Sequence, residues 1–275
     1  MAALTVFGYV LEGALTLAGL RLLWRLALSP QARGRPAPNL VPPWPGPPSD
    51  LLLALVCTFA GAVVVPGLVA LGLRLHPPPL LVQQLWLTCA FQGGLLLGIG
   101  LFGRLRPESR PGSPAAPGQA LRAGAGTFLV SLPLVFAVGC LWQLLLAQFG
   151  FEARPQDTVD LFQSLPTPAL KALFVLIAIV VAPVSEELIF RAGIFRFLRG
   201  RIPRGWAVAI SALLFGGMHL LESPADGLGS LAQLVVLGAV FALAYERTGR
   251  IGTSIVAHGI FNLNTLLALL CGVNS

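Results

Sequence analysis

The chain has 275 residues, of which 56% are hydrophobic and 11% are charged, and its mean hydropathy is +0.82. Soluble domains average about 25% charged residues, so this composition excludes a soluble globular protein and indicates a protein of the lipid bilayer. The 18 Lys and Arg outnumber the 11 Asp and Glu, an excess that in a soluble protein would suggest nucleic-acid binding. Here the cations lie in short loops between apolar stretches, so we attribute the excess to the orientation of the helices in the membrane.

Apolar runs of about 20 residues, the length that a membrane-spanning helix needs, occur repeatedly along the chain. They cover residues 3–24, 51–73, 80–102, 124–149, 169–190, 206–221, 230–246 and 251–271, and the fifth helix is expected to continue to Leu198. The sequence therefore predicts an all-α protein, a polytopic membrane helix bundle of about eight transmembrane helices. The first run lacks a basic N-terminal region, so we expect it to be retained as an anchor.

Positive charges lie in alternate loops between these runs, as they do where arginines stay in the cytoplasm. The arginine-rich loops follow the odd-numbered runs and carry Arg25, Arg33 and Arg35, then Arg104, Arg106, Arg110 and Arg122, then Arg196, Arg199, Arg201 and Arg204, then Arg247 and Arg250. The other loops carry Arg74, then Arg154 with Glu152, Asp157 and Asp160, then Glu222 and Asp226. We therefore expect a multi-pass integral membrane protein with both termini outside the cytoplasm. The abundance of Arg, Gly and Pro indicates a bacterial source and hence the inner (cell) membrane.

The loop after the first helix contains a proline-rich stretch, Pro36 to Pro48, around Trp44. One interpretation is a PxxP ligand for a recognition domain. An extended linker is favoured, because proline keeps a loop between membrane spans from becoming helical.

Ionisable residues inside the apolar runs are concentrated in the last hundred residues. Each costs about 2.5–3.5 kcal/mol in hydrocarbon, so each is a candidate for function. The first four helices offer Glu12 and little else. The chain is therefore predicted to divide into an N-terminal transmembrane scaffold of four helices, 1–150, and a functional helical domain, 151–275.

The fifth helix carries two adjacent glutamates. Glu187 and Arg191 are four residues apart, so their side chains can meet on one helix face and neutralise each other. The Glu186 side chain lies about 100° around the helix from Glu187, so it is left outside this pair. A carboxylate in such an apolar place can take a proton from water. The alternative is a purely structural ion-pair network.

The sixth and eighth helices each bring a histidine. His219 ends the segment that begins at Phe215, and His258 lies four residues before Asn262, so that two hydrogen-bond donors can face a developing oxyanion. Packing and interhelical hydrogen bonding are the alternatives. Because three helices each bring a costly polar group, the set is typical of a water-activating site.

These residues resemble the motifs of the CPBP superfamily, the glutamic intramembrane proteases that include the CAAX prenyl endopeptidases, the bacterial Abi proteins and the myxosortases. The motifs EExxxR, FxxxH and HxxxN/D are matched in order by Glu186-Glu187 with Arg191, by Phe215 with His219, and by His258 with Asn262. The match covers roughly residues 165–271.

The resemblance implies a CPBP-type catalytic domain that hydrolyses peptide bonds without a metal, a cofactor or a covalent intermediate. By its motifs, Glu186 would be the general base that activates water with His219, and His258 with Asn262 would stabilise the oxyanion. Glu187 and Arg191, with Phe215, would support the site. The implied partners are the lipid bilayer and a protein or peptide substrate, expected to be membrane-anchored and cleaved near its C-terminus. A protein-sorting, myxosortase-like role and a CAAX-like role both remain open.

Two other functions compete with this interpretation. A zinc metalloprotease would use Glu186, His219 and His258 as ligands, although the chain contains no HExxH motif. A non-catalytic membrane protein, such as an immunity factor, a peptide-binding protein or a transporter, would use the same polar cavity, although no inverted repeat is visible.

Overall fold

The computed structural model describes residues 2–34, 38–111, 117–151, 157–222 and 224–273, and within these ranges it contains helices and no strand. Eight of the helices are long and apolar enough to cross a membrane. We label them α1 (Ala3–Leu28), α2 (Pro48–Leu73), α3 (Leu80–Leu105), α4 (Gly118–Gln148), α5 (Pro168–Arg199), α6 (Arg204–Leu221), α7 (Gly227–Thr248) and α8 (Ile251–Leu270). The predicted all-α, multi-pass membrane bundle is confirmed.

Some of the loop charges used to predict topology lie outside the described part of the chain. These are Arg35, Glu152 and Arg154, together with the side chains of Asp157, Asp160, Glu222 and Asp226. The orientation of the termini stays a prediction.

Several helices extend beyond the apolar runs. The fourth begins at Gly118 and the third ends at Leu105, because hydropathy marks the end of the apolar run and not the end of the backbone hydrogen bonding. The local start signals are conventional: Pro168 occupies the first turn of α5, and the Thr167 side chain accepts a hydrogen bond from Leu170 N at 3.3 Å.

Glycines allow close helix crossings throughout the bundle. Helices α2 and α3 touch at Gly61, Gly94 and Gly98, where an added Cβ would collide with the backbone of the facing helix. Such small-residue contacts are the usual way for membrane helices to pack. Helix α4 packs against α1, α7 and α8. The helices of the predicted scaffold are thus in direct contact with those of the predicted catalytic half, and the boundary near residue 150 stays a prediction.

Helix α5 lies at the centre of the bundle and changes its winding along its length. Its first π-helical segment is Ile177–Val181 and its second is Leu188–Phe195, with α-helix Ala182–Glu187 between them. Such segments are rare and occur most often at functional sites. The two adjacent glutamates therefore lie in a short α-helical stretch between two π-helical ones.

The arginine-rich end of the bundle is held together by buried charges. Arg196 donates to Pro42 O at 2.9 Å, to Pro43 O at 2.8 Å and to Ser109 O at 2.8 Å. It thereby fixes two loops against α5. Residues 38–47, the described part of the proline-rich stretch before α2, contain no helix, as the linker interpretation predicts. At the same end, the buried carboxylate of Glu246 pairs with the guanidinium groups of Arg199 and Arg204, each at 2.6 Å.

Candidate active site

The backbone hydrogen bonding of α5 is interrupted where Pro183 follows the first π-helical segment. Ala182 N donates to Ile177 O, and the next bond of this type would run from residue 183 to Ala178 O. Proline has no N–H, so Ala178 O must find another donor. That donor is Asn262 Nδ2 of α8, at 2.8 Å.

Gly259 allows α8 to come this close. A Cβ on Gly259 would lie 2.5 Å from Ile179 O, which is shorter than side chains tolerate. Helix α8 therefore rests directly on the exposed carbonyls of α5. This contact fixes the position of His258, which immediately precedes Gly259.

Glu187 and Arg191 form the expected ion pair on α5. Glu187 Oε1 lies 2.9 Å from Arg191 Nη1, and both side chains are fully buried. Arg191 Nη2 also donates to Gly238 O of α7 at 3.1 Å. The predicted pairing of Glu187 with Arg191 is therefore confirmed. A buried charge is tolerated only when it is paired and hydrogen-bonded, and the bond to Gly238 O also connects α5 to α7.

Aromatic rings enclose the guanidinium group. Arg191 Cζ lies 4.4 Å from the ring centroid of Phe215 and 5.4 Å from that of Phe241. The negative faces of these rings attract the cation. Phe215 thus brings its own motif on α6 into contact with the α5 motif.

His258 lies between the two glutamates. Its Nδ1 is 3.0 Å from Glu187 Oε1, and its Nε2 is 3.8 Å from Glu186 Oε2. An ionised carboxylate only accepts hydrogen bonds, so Nδ1 carries a proton that it donates to Glu187. The other ring nitrogen is left on the Glu186 side.

Glu186 is nearly buried, with 7% of its surface exposed. The gap of 3.8 Å to His258 Nε2 is longer than a direct hydrogen bond. A single water molecule at about 2.8 Å from each atom would contact both. The two atoms are therefore close enough for one water molecule to bridge them.

His219 lies beside the same aromatic ring. Its Nδ1 is 3.0 Å from Phe215 O, and its ring centroid is 5.1 Å from that of Phe215, which is itself 5.8 Å from the His258 ring. Because a carbonyl only accepts, Nδ1 is the protonated nitrogen and Nε2 is available as an acceptor. One phenyl ring thus contacts both imidazoles of the predicted site.

One of the two amide hydrogens of Asn262 is donated to Ala178 O, whereas His258 faces the two glutamates. The second amide hydrogen has no assigned acceptor among the described residues, so the predicted oxyanion role of Asn262 stays a prediction. In this structure Asn262 fastens α8 to α5.

Gln92 on α3 is a polar residue of the site that the sequence analysis missed. The buried Ser185 hydroxyl, next to Glu186, lies 2.5 Å from Gln92 Oε1 and also within hydrogen-bond reach of Val181 O and Ala182 O. A search for ionisable residues overlooks an uncharged amide. The usable signal was the position of Gln92, which lies inside the apolar run of α3, whereas Gln83 and Gln84 lie near its start.

Glu12, the one membrane carboxylate noted in the first four helices, lies in a separate contact. Its Oε1 accepts a hydrogen bond from Asn264 Nδ2 of α8 at 2.7 Å. Helix α1 is otherwise poorly enclosed, with 11% of its most apolar window buried. Glu12 therefore anchors α1 to the helix that carries His258.

The ligand set of a zinc protease is not gathered in the described residues. No group of three His, Cys, Asp or Glu side chains lies close enough there to hold a metal ion.

Comparisons with known proteins relate the same region to peptidases. Residues 168–264 match the family model described as Type II CAAX prenyl endopeptidase Rce1-like. A protein of Bacillus subtilis (strain 168) named "Putative membrane peptidase YdiL" is 27% identical over 220 residues, which are 77% of this chain and 84% of that protein. No solved structure matches the chain. The matched family region begins with α5 and includes every side chain of the candidate site on α5, α6 and α8.

Proposed function

We propose that this chain, a membrane peptidase of the Rce1-like CAAX prenyl endopeptidase family by its residues 168–264, hydrolyses peptide bonds with water activated by Glu186 and His219. The family match confirms the resemblance to the CPBP superfamily. We further propose the glutamic mechanism, the roles of individual residues and the class of substrate.

One observation carries the mechanism: two neighbouring carboxylates have different surroundings. Glu187 is paired with Arg191 and accepts the Nδ1 proton of His258, so its charge is used to hold three helices together. Glu186 Oε2 lies 3.8 Å from His258 Nε2, a separation that one bridging water molecule can span. Carboxylates whose surroundings differ in this way commonly divide their tasks between structure and proton transfer.

In the proposed reaction Glu186 takes a proton from a water molecule while the water oxygen attacks the carbonyl carbon of the scissile bond. His219, with Nδ1 held by Phe215 O, supports this step as an acceptor at Nε2. The tetrahedral intermediate then breaks its C–N bond, and the leaving amine receives the proton from Glu186. One water is consumed and two new chain ends form.

His258 is proposed to stabilise the oxyanion of the intermediate. When protonated, an imidazole donates from both nitrogens, so Nε2–H faces the reacting centre while Nδ1–H stays on Glu187. Asn262 contributes through its bond to Ala178 O, which keeps α8 and its histidine in place.

The proposed substrates are proteins whose C-terminal segment or membrane anchor reaches this site among apolar helices. Cleavage there would release a C-terminal fragment, as in a CAAX-like processing step or in a myxosortase-like sorting step. The proposed location is the inner membrane of a bacterium, with both termini outside the cytoplasm. Metal independence is part of the proposal and is supported by the absence of a three-residue ligand cluster among the described residues.

The proposal is tested by comparing the C-termini of cellular proteins by mass spectrometry in cells that carry the wild-type chain or Glu186→Gln. A matched control is Glu108→Gln, the same change at an exposed loop glutamate. All three chains are first checked for equal abundance in the membrane.

We expect a defined set of proteins to keep its C-terminal segment in Glu186→Gln cells and to lose it in wild-type and Glu108→Gln cells. Identical termini in all three strains, under conditions in which the gene is needed, would contradict peptidase action at Glu186. A transport or binding role in the same cavity would then be favoured.

A further inference from the structure

A cavity of about 450 Å³ lies between α2, α3 and α5, beneath the two loops that Arg196 fixes. This volume is within the range of about 300–1,000 Å³ that small-molecule sites have. None of the candidate catalytic side chains is among the described residues that line it. The cavity is therefore separate from the peptidase site, although Ile189 and Ala192 in its wall belong to the same π-helical segment as Arg191.

Most of the wall is apolar, and its buried polar groups differ in their partners. The Thr58 hydroxyl donates to Ala54 O at 2.7 Å. Trp44 Nε1 and Ser109 Oγ are buried without a hydrogen-bond partner in the described part of the chain. Leaving a donor buried and unsatisfied costs about 1–3 kcal/mol, so this part of the wall is not optimised for stability alone.

Arginines add positive charge to the same wall. Arg104 and Arg110 both line the cavity and are exposed, and the Nε of Arg110 donates to Gly103 O at 2.9 Å. The nearby carboxylate of Asp50 is already paired with Arg106 at 3.1 Å. The lining thus presents donors and cations, and no carboxylate is among its described residues.

We propose that this cavity binds an anionic phospholipid of the surrounding bilayer. One acyl chain fills the apolar space between α2, α3 and α5. The phosphate accepts hydrogen bonds from Arg104 and Arg110. Two arginines of the arginine-rich end of the bundle, Arg104 and Arg110, line the cavity, and basic pockets between membrane helices are suited to anionic headgroups.

The bilayer is favoured as the source because the cavity joins an apolar space to a cationic rim, as a phospholipid joins its chain to its phosphate. A peptide C-terminus in the cavity is the competing occupant and is distinguished by the test.

The test uses the full-length protein in nanodiscs of phosphatidylcholine containing a minor fraction of phosphatidylglycerol. Native mass spectrometry after release from the disc counts the phosphatidylglycerol molecules that stay bound. The charge variant is Arg104→Gln with Arg110→Gln. Its control is Arg122→Gln, because Arg122 is an exposed arginine in the first turns of α4 that does not line the cavity.

A second variant tests the apolar part without touching charge. Gly100 lines the cavity and an added Cβ there meets nothing within 4 Å, so Gly100→Leu fills the space without strain at the backbone. Gly67→Leu is its control, because Gly67 of α2 also has open space around it but lies outside the cavity.

We expect retained phosphatidylglycerol to fall about tenfold in the double arginine variant and in Gly100→Leu, and to stay at the wild-type level in both controls. No retention by the wild-type protein, or equal loss in Arg122→Gln, would overturn the proposal, since the latter would mean general attraction to a basic surface. Unchanged retention in Gly100→Leu, together with a raised KM for a peptide substrate, would also overturn it and assign the cavity to peptide.

Discussion

Replacing Glu187 with Gln leaves the Arg191 guanidinium buried beside an uncharged neighbour. The wild-type charges are 2.9 Å apart and both side chains are fully buried. At an effective dielectric constant of about 20, that separation corresponds to an attraction of about 6 kcal/mol, part of which offsets the cost of burying the ions.

Arg191 would keep its bond to Gly238 O and its two aromatic neighbours. These contacts satisfy part of the guanidinium group but supply no negative charge. We therefore expect Glu187→Gln to lower the free energy of unfolding by about 3–5 kcal/mol, the usual cost of breaking one side of a buried pair.

The double variant Glu187→Gln with Arg191→Met removes both charges. It leaves no buried ion, so its loss of unfolding free energy should be smaller than the sum of the two single losses by at least about 2 kcal/mol. The assay is reversible unfolding of the purified full chain in mixed detergent micelles, followed by circular dichroism. Single losses that add to within about 0.5 kcal/mol would show that the two side chains are independent and would refute the reasoning.

Further predictions concern the contacts that position the site. Gly259→Ala should lower the unfolding free energy by about 1–3 kcal/mol and abolish cleavage, because the added Cβ would collide with Ile179 O. The control Gly252→Ala, on the same helix, makes only an ordinary 3.4 Å contact and should be tolerated. Wild-type activity in Gly259→Ala would contradict the close docking of α8. Gln92→Leu removes the hydrogen-bond acceptor of the Ser185 hydroxyl. It should lower kcat with little change in KM and lower the unfolding free energy by about 1 kcal/mol. An equal loss of kcat in the control Gln84→Leu, a change at an exposed glutamine of the same helix, would refute a specific role of Gln92. Cleavage should persist in the presence of a strong zinc chelator, and loss of activity that zinc restores would revive the metalloprotease alternative.

The number of helices was predictable because a membrane span requires an apolar run of nearly fixed length. The Glu187–Arg191 contact was predictable for a similar reason, since both partners lie on one helix and their spacing alone places them together. These properties depend on local geometry, which the sequence contains directly.

The partners of Ser185 and Asn262 could not be predicted in this way. Ser185 bonds to Gln92, far away in sequence, and Asn262 bonds to a carbonyl that is free because Pro183 interrupts the π-helical bonding of α5. Each contact depends on how two helices cross, and crossings are set by packing and not by spacing along one chain. The observed helix ends also differ from the ends of the apolar runs, because polar residues can continue a helix beyond its apolar part.

The central claim is that Glu186 activates the water that cleaves the substrate. The most direct measurement is the cleavage rate of a substrate found by the C-terminal comparison, with wild-type, Glu186→Gln and Glu108→Gln chains reconstituted in lipid at equal folded amounts. Loss of a general base predicts a rate lower by about 10²–10⁴-fold in Glu186→Gln, with unchanged unfolding free energy and with Glu108→Gln equal to wild type. Cleavage by Glu186→Gln at a rate within a few-fold of wild type would contradict the claim.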